Sequence, residues 1–260
     1  MESIFEIVGL IPAAGKAERL GLIPMSKELY PIEFSKEGNI KVTTTYLLES
    51  FRLAGIKKCH MVIRSGKMDI PSYYKSGGSF GLNIAYHITE DERGVPYTIY
   101  QAYPYLQDKI VAFGFPDILF KPDSAFSQLI NKIIVESEAD IFLGAFPVEE
   151  PGKWDMVDLQ DNNIVNDIVI KDQKAVKLKY AWINCVWRST FTDYFGKFMN
   201  LKLKESDQHS KSSELFIGDV VKAAITDGLL VKALKFDSGK CIDIGTFEGL
   251  NQAHEFIGQH

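Results

Sequence analysis

The sequence predicts an α/β fold, a Rossmann-like three-layer sandwich with a mainly parallel but mixed central sheet. Three observations carry that expectation. Short apolar runs at residues 7–11, 60–64, 83–88, 110–115 and 140–147 are rich in β-branched residues and bounded by turn signals, as strands buried on both faces should be. Between them lie amphipathic helical patterns at 44–53, closed by Gly55, and at 95–103 and 122–138. Strand and helix therefore alternate, and short crossovers place parallel strands side by side under helices.

The second half departs from this alternation. Runs at 156–159, 164–170 and 180–187 follow one another closely, with Asp161-Asn162-Asn163 as a turn, so a mixed or antiparallel insertion is expected at about 150–190. Helices at 190–203 and 213–227, a strand at 230–236 and a closing helix at 247–257 complete a single domain over residues 1–260, with no internal repeat. The polar stretch 202–213, containing Ser206, Ser210, Ser212 and Ser213, reads as a surface loop rather than a substrate lid.

A chain of 260 residues that is 46% hydrophobic is long enough to bury one large core. Its net charge of −5 and lack of a clustered basic face argue against nucleic acid as a partner. Cys59, Cys185 and Cys241 are scattered and show no paired spacing, so neither a disulfide framework nor a zinc site is indicated, and a reducing cytoplasm fits. The N-terminal residues show no basic segment followed by a long apolar core, and no apolar run approaches the roughly 18 residues a membrane span needs. The expectation is a soluble, unexported protein with no membrane partner, for which homo-oligomerisation stays open.

The most informative stretch follows the first apolar run. Pro12-Ala13-Ala14-Gly15 shrinks the side chains to almost nothing, so the backbone could come close to a ligand. Lys16, Arg19 and Lys27 follow within a dozen residues, bringing positive charge to the amides of the turn, as a polyphosphate site requires. The glycines by themselves fit an ordinary turn. The longer pattern, Ala13-Ala14-Gly15, then Arg19, then Ser26-Lys27-Glu28-Leu29-Tyr30-Pro31-Ile32, resembles the signature of the sugar-phosphate nucleotidyltransferases. That resemblance implies the nucleotide-diphospho-sugar transferase type of sandwich, with Ala13, Ala14, Gly15 and Lys16 on the nucleotide and Arg19 and Lys27 beside the reacting phosphates. Ala17 stands where the family usually has a second glycine.

Two further motifs match in order. The run 110–116 delivers Asp117 to the carboxyl end of a strand, the edge where open α/β sheets bind ligands. In the chain's own terms Asp117 could equally cap a turn. The resemblance makes it the family's metal-binding and catalytic aspartate, here with Phe115-Pro116 inserted before it. Later, Asp243-Ile244-Gly245-Thr246 is similar to the family's closing motif, which implies Asp243 as a second ligand of Mg²⁺, although the same residues would make a turn with Thr246 as a helix N-cap. Two carboxylates from distant parts of the chain can hold a hard divalent cation that bridges phosphate oxygens.

The base and acceptor sides depart further from the family pattern. Gly94 occupies the position of a glycine beneath the base, but Thr89 to Glu92 replace the glutamine that reads a pyrimidine edge. The family's glutamate-lysine pair at the sugar becomes Ile170-Lys171, and Trp154-Asp155 replaces a tyrosine-glycine step. Lys171 therefore carries over as an acceptor contact, with Asn184 and Glu214 as candidates for the missing ones. His60, His87 and His254 read as structural, and Trp182 and Trp187 as core or pocket wall. No Gly-x-Ser-x-Gly elbow, Walker-type loop or Cys/His nucleophile arrangement is present, which disfavours hydrolase and kinase chemistry.

Together these features lead to an expected transfer of a nucleoside monophosphate from an NTP, dTTP or UTP favoured, to a sugar 1-phosphate, giving an NDP-sugar and pyrophosphate. Two alternatives follow from the eroded acceptor motif. One is transfer to a non-sugar phosphate such as phosphocholine or a polyol phosphate. The other is a non-catalytic subunit that binds nucleotide sugar, against which Arg19, Lys27, Asp117 and Asp243 all speak.

Overall fold

The computed structural model describes residues 5–16, 21, 23–34, 38, 40–206 and 214–258. In chain order its strands are β1 (Ile7–Ala13), β2 (Pro31–Phe34), β3 (Ile40–Val42), β4 (Lys58–Arg64), β5 (Asn83–Thr89), β6 (Ile110–Gly114), β7 (Ile118–Lys121), β8 (Ile141–Pro147), β9 (Asp155–Leu159), β10 (Val165–Ile170), β11 (Tyr180–Trp187), β12 (Val231–Lys235) and β13 (Lys240–Asp243). Its helices are α1 (Thr43–Leu53), α2 (Asp69–Tyr74), α3 (Val95–Tyr100), α4 (Ala125–Val135), α5 (Ser189–Ser206), α6 (Ile217–Thr226) and α7 (Phe247–Gly258). None of the described helices is long and apolar enough to cross a membrane.

The central sheet runs β5-β4-β1-β6-β11-β8-β12, and only β11 opposes the rest, so the sheet is mixed but mainly parallel. The β9-β10 hairpin joins the start of β11 through the pairing of Ala181 with Met156, giving the antiparallel region expected near 150–190. Strand order reverses at β1, whose neighbours β4 and β6 lie on opposite sides of it, and such a switch point opens a crevice at the carboxyl ends of the strands.

Helices cover both faces. α1, α2 and α4 bury Leu47, Leu48, Phe51, Ile70, Tyr74, Phe126, Leu129 and Ile133 against Ile11, Met61, Ile63 and Phe142. α3, α5 and α6 bury Ile99, Phe191, Phe195, Met199, Val220 and Val221 against Leu10, Val62, Val111 and Leu143. Adjacent residues such as Leu10 and Ile11 thus serve opposite faces, which is why β1 is a continuous apolar run. Each such large side chain contributes about 1.5–3 kcal/mol by leaving water. A third, smaller cluster of Ile32, Leu119, Ile244, Leu250 and Ala253 fastens α7 and the β7-β13 pair beside the sheet.

The structure adds what the patterns did not signal. β2, β3, β7 and β13 are three or four residues long, and β7 pairs with a strand over a hundred residues later, so neither length nor local sequence announces them. α6 begins at Ile217 rather than 213, because Phe216 is extended and its N–H is bound by the Asp219 carboxylate at 2.8 Å. α3 ends at Tyr100, and 103–105 form a separate 3-10 turn.

Close approach of α1 to β1 requires Gly9, where an added Cβ would lie 2.6 and 2.7 Å from two atoms of the buried Phe51 ring. Gly9→Ala is expected to destabilise the chain by about 1–3 kcal/mol through overpacking, read as a fall of several degrees in the melting temperature with the circular dichroism spectrum retained. An unchanged melting temperature would contradict this account of the β1–α1 contact.

Candidate active site

The carboxyl edge of the sheet carries a cleft of two lobes. One, of about 540 Å³, is bounded by Ala14, Gly15, Lys16, Lys27, Arg64, Glu92 and Gly94. The other, about 1060 Å³, is bounded by Trp154, Asp155, Lys171, Trp182, Phe216 and Asp243 among others. Val95, Phe115, Asp117 and Glu214 belong to both and form the junction.

Lys27 stands in the first lobe in an ion pair with Asp117, and both side chains are about 15% exposed. Burial alone would lower the lysine's affinity for its proton, but the charges of Asp117, Glu28 and Asp243 outweigh it and hold the pKa above the ordinary lysine value. Lys27 is therefore a fixed positive charge. The loop that carries it is clamped on both sides from the turn after β4. Asp69 accepts from the Ser26 N–H and hydroxyl, both at 2.7 Å. Lys67 donates to both oxygens of the fully buried Glu28 at 2.8 Å. Burial pushes the Glu28 carboxyl up and the Lys67 ammonium down, so mutual attraction is what keeps both charges there.

Asp117 reaches the junction because β6 ends at Gly114 and β7 starts at Ile118, leaving a turn between them. Its carbonyl accepts from the Ile244 N–H at 2.9 Å, which sets the Asp117 and Asp243 backbones side by side at the ends of paired strands. Asp243 also accepts from the Gly245 N–H at 2.8 Å, and Thr246 caps α7 by accepting from the Gly249 N–H at 3.1 Å. The closing motif thus forms both the turn and the N-cap, and Asp243 still borders the second lobe. Among the described residues no group of three or more His, Cys, Asp or Glu side chains is placed to hold a metal ion. Two hard carboxylates beside a phosphate-sized space do fit magnesium, which takes one or two carboxylates and completes its shell from substrate and water.

Across the first lobe Arg64 donates to the Ala14 carbonyl at 3.2 Å and pairs with Glu92, which also pairs with Lys16. Lys16 and Arg64 hold the Glu92 carboxyl below its ordinary range. Gly94 has φ +122° and lies against Leu215, whose N–H donates to the Arg93 carbonyl at 2.9 Å. Residues 214–216 thereby strap across the start of α3.

In the second lobe Lys171 sits at φ +42° with its ammonium 4.3 Å from the centre of the Phe216 ring, and Glu214 is exposed at the junction. Asn184 stands apart. It is fully buried in β11 between Gly114 and Gly144, does not border either lobe, and among the described residues neither amide atom has a hydrogen-bond partner. Ala13 is likewise fully buried, so its place in the loop is structural support for Ala14 and Gly15. Arg19 and Ala17 lie outside the described residues. The cleft thus gathers Ala14, Gly15, Lys16, Lys27, Gly94, Asp117, Lys171, Glu214 and Asp243. Sequence reasoning missed Arg64, which as a cation ending an apolar run had a signal, and Lys67 and Asp69, which had none. His60 and His87 bond each other through ring nitrogens at 2.9 Å, away from the cleft.

Fold and cleft define an α/β protein whose ligand space opens at the switch point of its sheet. A family profile described as "Nucleotidyl transferase" matches residues 8–260. A glucose-1-phosphate thymidylyltransferase of Neisseria meningitidis is 24% identical over 255 residues, covering 96% of this chain and 82% of that protein. A Bacillus anthracis protein assigned as a glucose-1-phosphate thymidylyltransferase, solved in complex with a sucrose, superposes with a TM-score of 0.81 at 19% identity, covering 98% of this chain and 96% of that one. UDP-glucose pyrophosphorylase of Acinetobacter baumannii superposes with a TM-score of 0.72 at 18% identity over 96% of this chain and 92% of that one. The chain belongs to the nucleotidyl transferase family.

A Cβ on Gly94 would fall 2.1 Å from the Leu215 carbonyl oxygen, at a φ that side chains rarely adopt. Gly94→Ala is expected to lower stability by about 1–3 kcal/mol. Adding Leu215→Ala should not rescue it, because the collision is with main chain. Rescue in a thermal melt would contradict the strap.

Proposed function

We propose that this chain transfers a nucleoside monophosphate from an NTP to a sugar 1-phosphate, releasing pyrophosphate, with a thymidine or uridine donor favoured by the relatives it resembles. The observation that carries this reading is the Lys27–Asp117 pair at the junction of two lobes, one floored by a glycine turn and cations, the other by Lys171. The triphosphate lies over Ala14, Gly15 and Lys16, and the acceptor enters the second lobe with its phosphate toward Lys171.

An oxygen of the acceptor phosphate attacks the α-phosphorus, and the bond from that phosphorus to the α–β bridging oxygen breaks, so pyrophosphate leaves with the electron pair. The attacking oxygen is already anionic, so no general base is required. What the chain supplies is position and charge. Lys27, fixed and permanently charged, faces the negative charge that spreads over the α-phosphate oxygens, and Arg19 is assigned the same task. Asp117 and Asp243 would hold Mg²⁺, which when bound supplies a Lewis acid toward the phosphate oxygens. The region 150–190 forms the acceptor wall of what acts as one domain. Its three cysteines, all unpaired, suit a reducing cytoplasm.

Lys27→Ala should lower kcat by about 10²-fold or more while the fold persists, measured as pyrophosphate release under saturating NTP and acceptor. Near-native turnover would refute the role of Lys27. Asp117→Asn and Asp243→Asn should each remove magnesium-dependent release and leave the circular dichroism spectrum unchanged. Full activity in either variant, or activity indifferent to a chelator, would refute the metal assignment. A panel of sugar 1-phosphates, polyol phosphates and phosphocholine separates the acceptor classes, since the proposal requires the sugars to be turned over best.

A further inference from the structure

Three charged side chains meet across the first lobe. One carboxylate oxygen of Glu92 pairs with Lys16 and the other with Arg64, so one anion bridges two cations from separate parts of the chain. All three residues border the lobe beside Ala14 and Gly15. The guanidinium is also anchored to the glycine turn, because Arg64 Nε donates to the Ala14 carbonyl at 3.2 Å.

This cluster does not hold the fold together. The Lys16 and Glu92 side chains are 43% and 49% exposed, and exposed ion pairs add little to stability. The Glu28–Lys67 pair is the opposite case, with its carboxylate fully enclosed. The backbone around Glu92 is nevertheless pinned. The Thr89 hydroxyl accepts from the Asp91 N–H and the Asp91 carboxylate from the Arg93 N–H, both at 3.0 Å, and the Arg93 carbonyl accepts from the Leu215 N–H at 2.9 Å. Glu92 can therefore leave both cations by side-chain rotation alone, with no movement of the loop. Arg64, tied to Ala14 and 19% exposed, stays where it is.

We infer that Lys16 and Arg64 form a two-cation seat for a polyphosphate, and that Glu92 occupies this seat as a stand-in which the ligand displaces. The inference rests on the proposed triphosphate substrate and adds Arg64 to the residues that bind it. The bridging arrangement points to an anion with several oxygens, since each cation takes a separate oxygen of one planar group, as phosphate oxygens also allow. A triphosphate carries more negative charge than one carboxylate and spreads it over more oxygens, so it wins both cations from Glu92. The Lys16 and Arg64 charges keep Glu92 ionised, so the exchange is of one anion for another and takes up no proton. With the seat empty, Glu92 separates two like charges that would otherwise repel. With the seat filled, its own charge turns into solvent.

The test is a calorimetric titration of the full chain with inorganic tripolyphosphate at fixed ionic strength, without metal or acceptor, which reads the seat apart from catalysis. Glu92→Gln keeps the shape and removes the charge at an exposed position, and should tighten binding by about three- to tenfold. Arg64→Ala should weaken it by about tenfold or more. Glu92→Gln added to Arg64→Ala should give a smaller gain than it gives alone, because one of the cations it releases is gone. If a thermal melt shows that Arg64→Ala fails to fold, Glu92→Gln decides the matter. Unchanged or weaker binding in Glu92→Gln would make the carboxylate a strut and overturn the inference. Native-like binding in a folded Arg64→Ala chain, or a native chain that binds no tripolyphosphate, would overturn it too. Pyrophosphate release from NTP and sugar 1-phosphate is measured separately. Its absence overturns the proposed function while the titration still decides the seat, and its presence beside a failed titration overturns the seat alone.

Discussion

A lysine held nearly dry at the floor of a cleft constrains everything around it. Burial disfavours the charge of Lys27, so the chain must surround it with anions, and Asp117, Glu28 and Asp243 are those anions. They come from three distant parts of the sequence, and the fold is arranged to bring them together. β6 delivers Asp117, the β7-β13 pairing brings Asp243 alongside, and the turn after β4 supplies Lys67 to balance Glu28. The consequence is a positive charge fixed in place before any ligand arrives, so little reorganisation is needed during a reaction that develops negative charge.

The same economy of space governs the rest of the cleft. Small residues appear wherever two backbones or a backbone and a large side chain must meet. Gly9 admits the Phe51 ring, Gly94 admits the Leu215 carbonyl, and Gly218 admits the Asp155 carboxyl. Each joins an element that borders the cleft to one that stabilises it, so the two lobes are shaped by core packing rather than by independent loops.

Much of this was legible in the sequence, and the limits have physical causes. Continuous apolar runs gave β1, β4, β6 and β8, because parallel strands buried on both faces leave no polar alternation to misread, while β5, at the sheet's edge with Asn83, Ala85 and Ile88 exposed, showed itself by its β-branched and aromatic residues. Lys27, Asp117 and Asp243 were found through the resemblance of the motifs that hold them to those of the family, since in the chain's own terms Asp117 and Asp243 could equally have been turn residues. β7 and β13 were not, being four-residue strands stabilised by each other across the chain. Lys67 and Asp69 were equally hidden, since their roles depend on which turn folds beneath the loop at Ser26. Asn184 shows the converse. A polar residue in an apolar run invites a functional reading, but the structure sets it in the sheet interior between two glycines, away from both lobes.

The central claim is that the Lys27–Asp117 pair marks where the reacting phosphates go. The most direct measurement is a crystal structure of the chain with magnesium and a triphosphate analogue whose α–β bridge cannot be cleaved. The account predicts the triphosphate over Ala14, Gly15 and Lys16, the Lys27 ammonium turned from Asp117 to a phosphate oxygen, and a cation between Asp117 and Asp243. A triphosphate bound elsewhere, with the Lys27–Asp117 pair undisturbed, would contradict it.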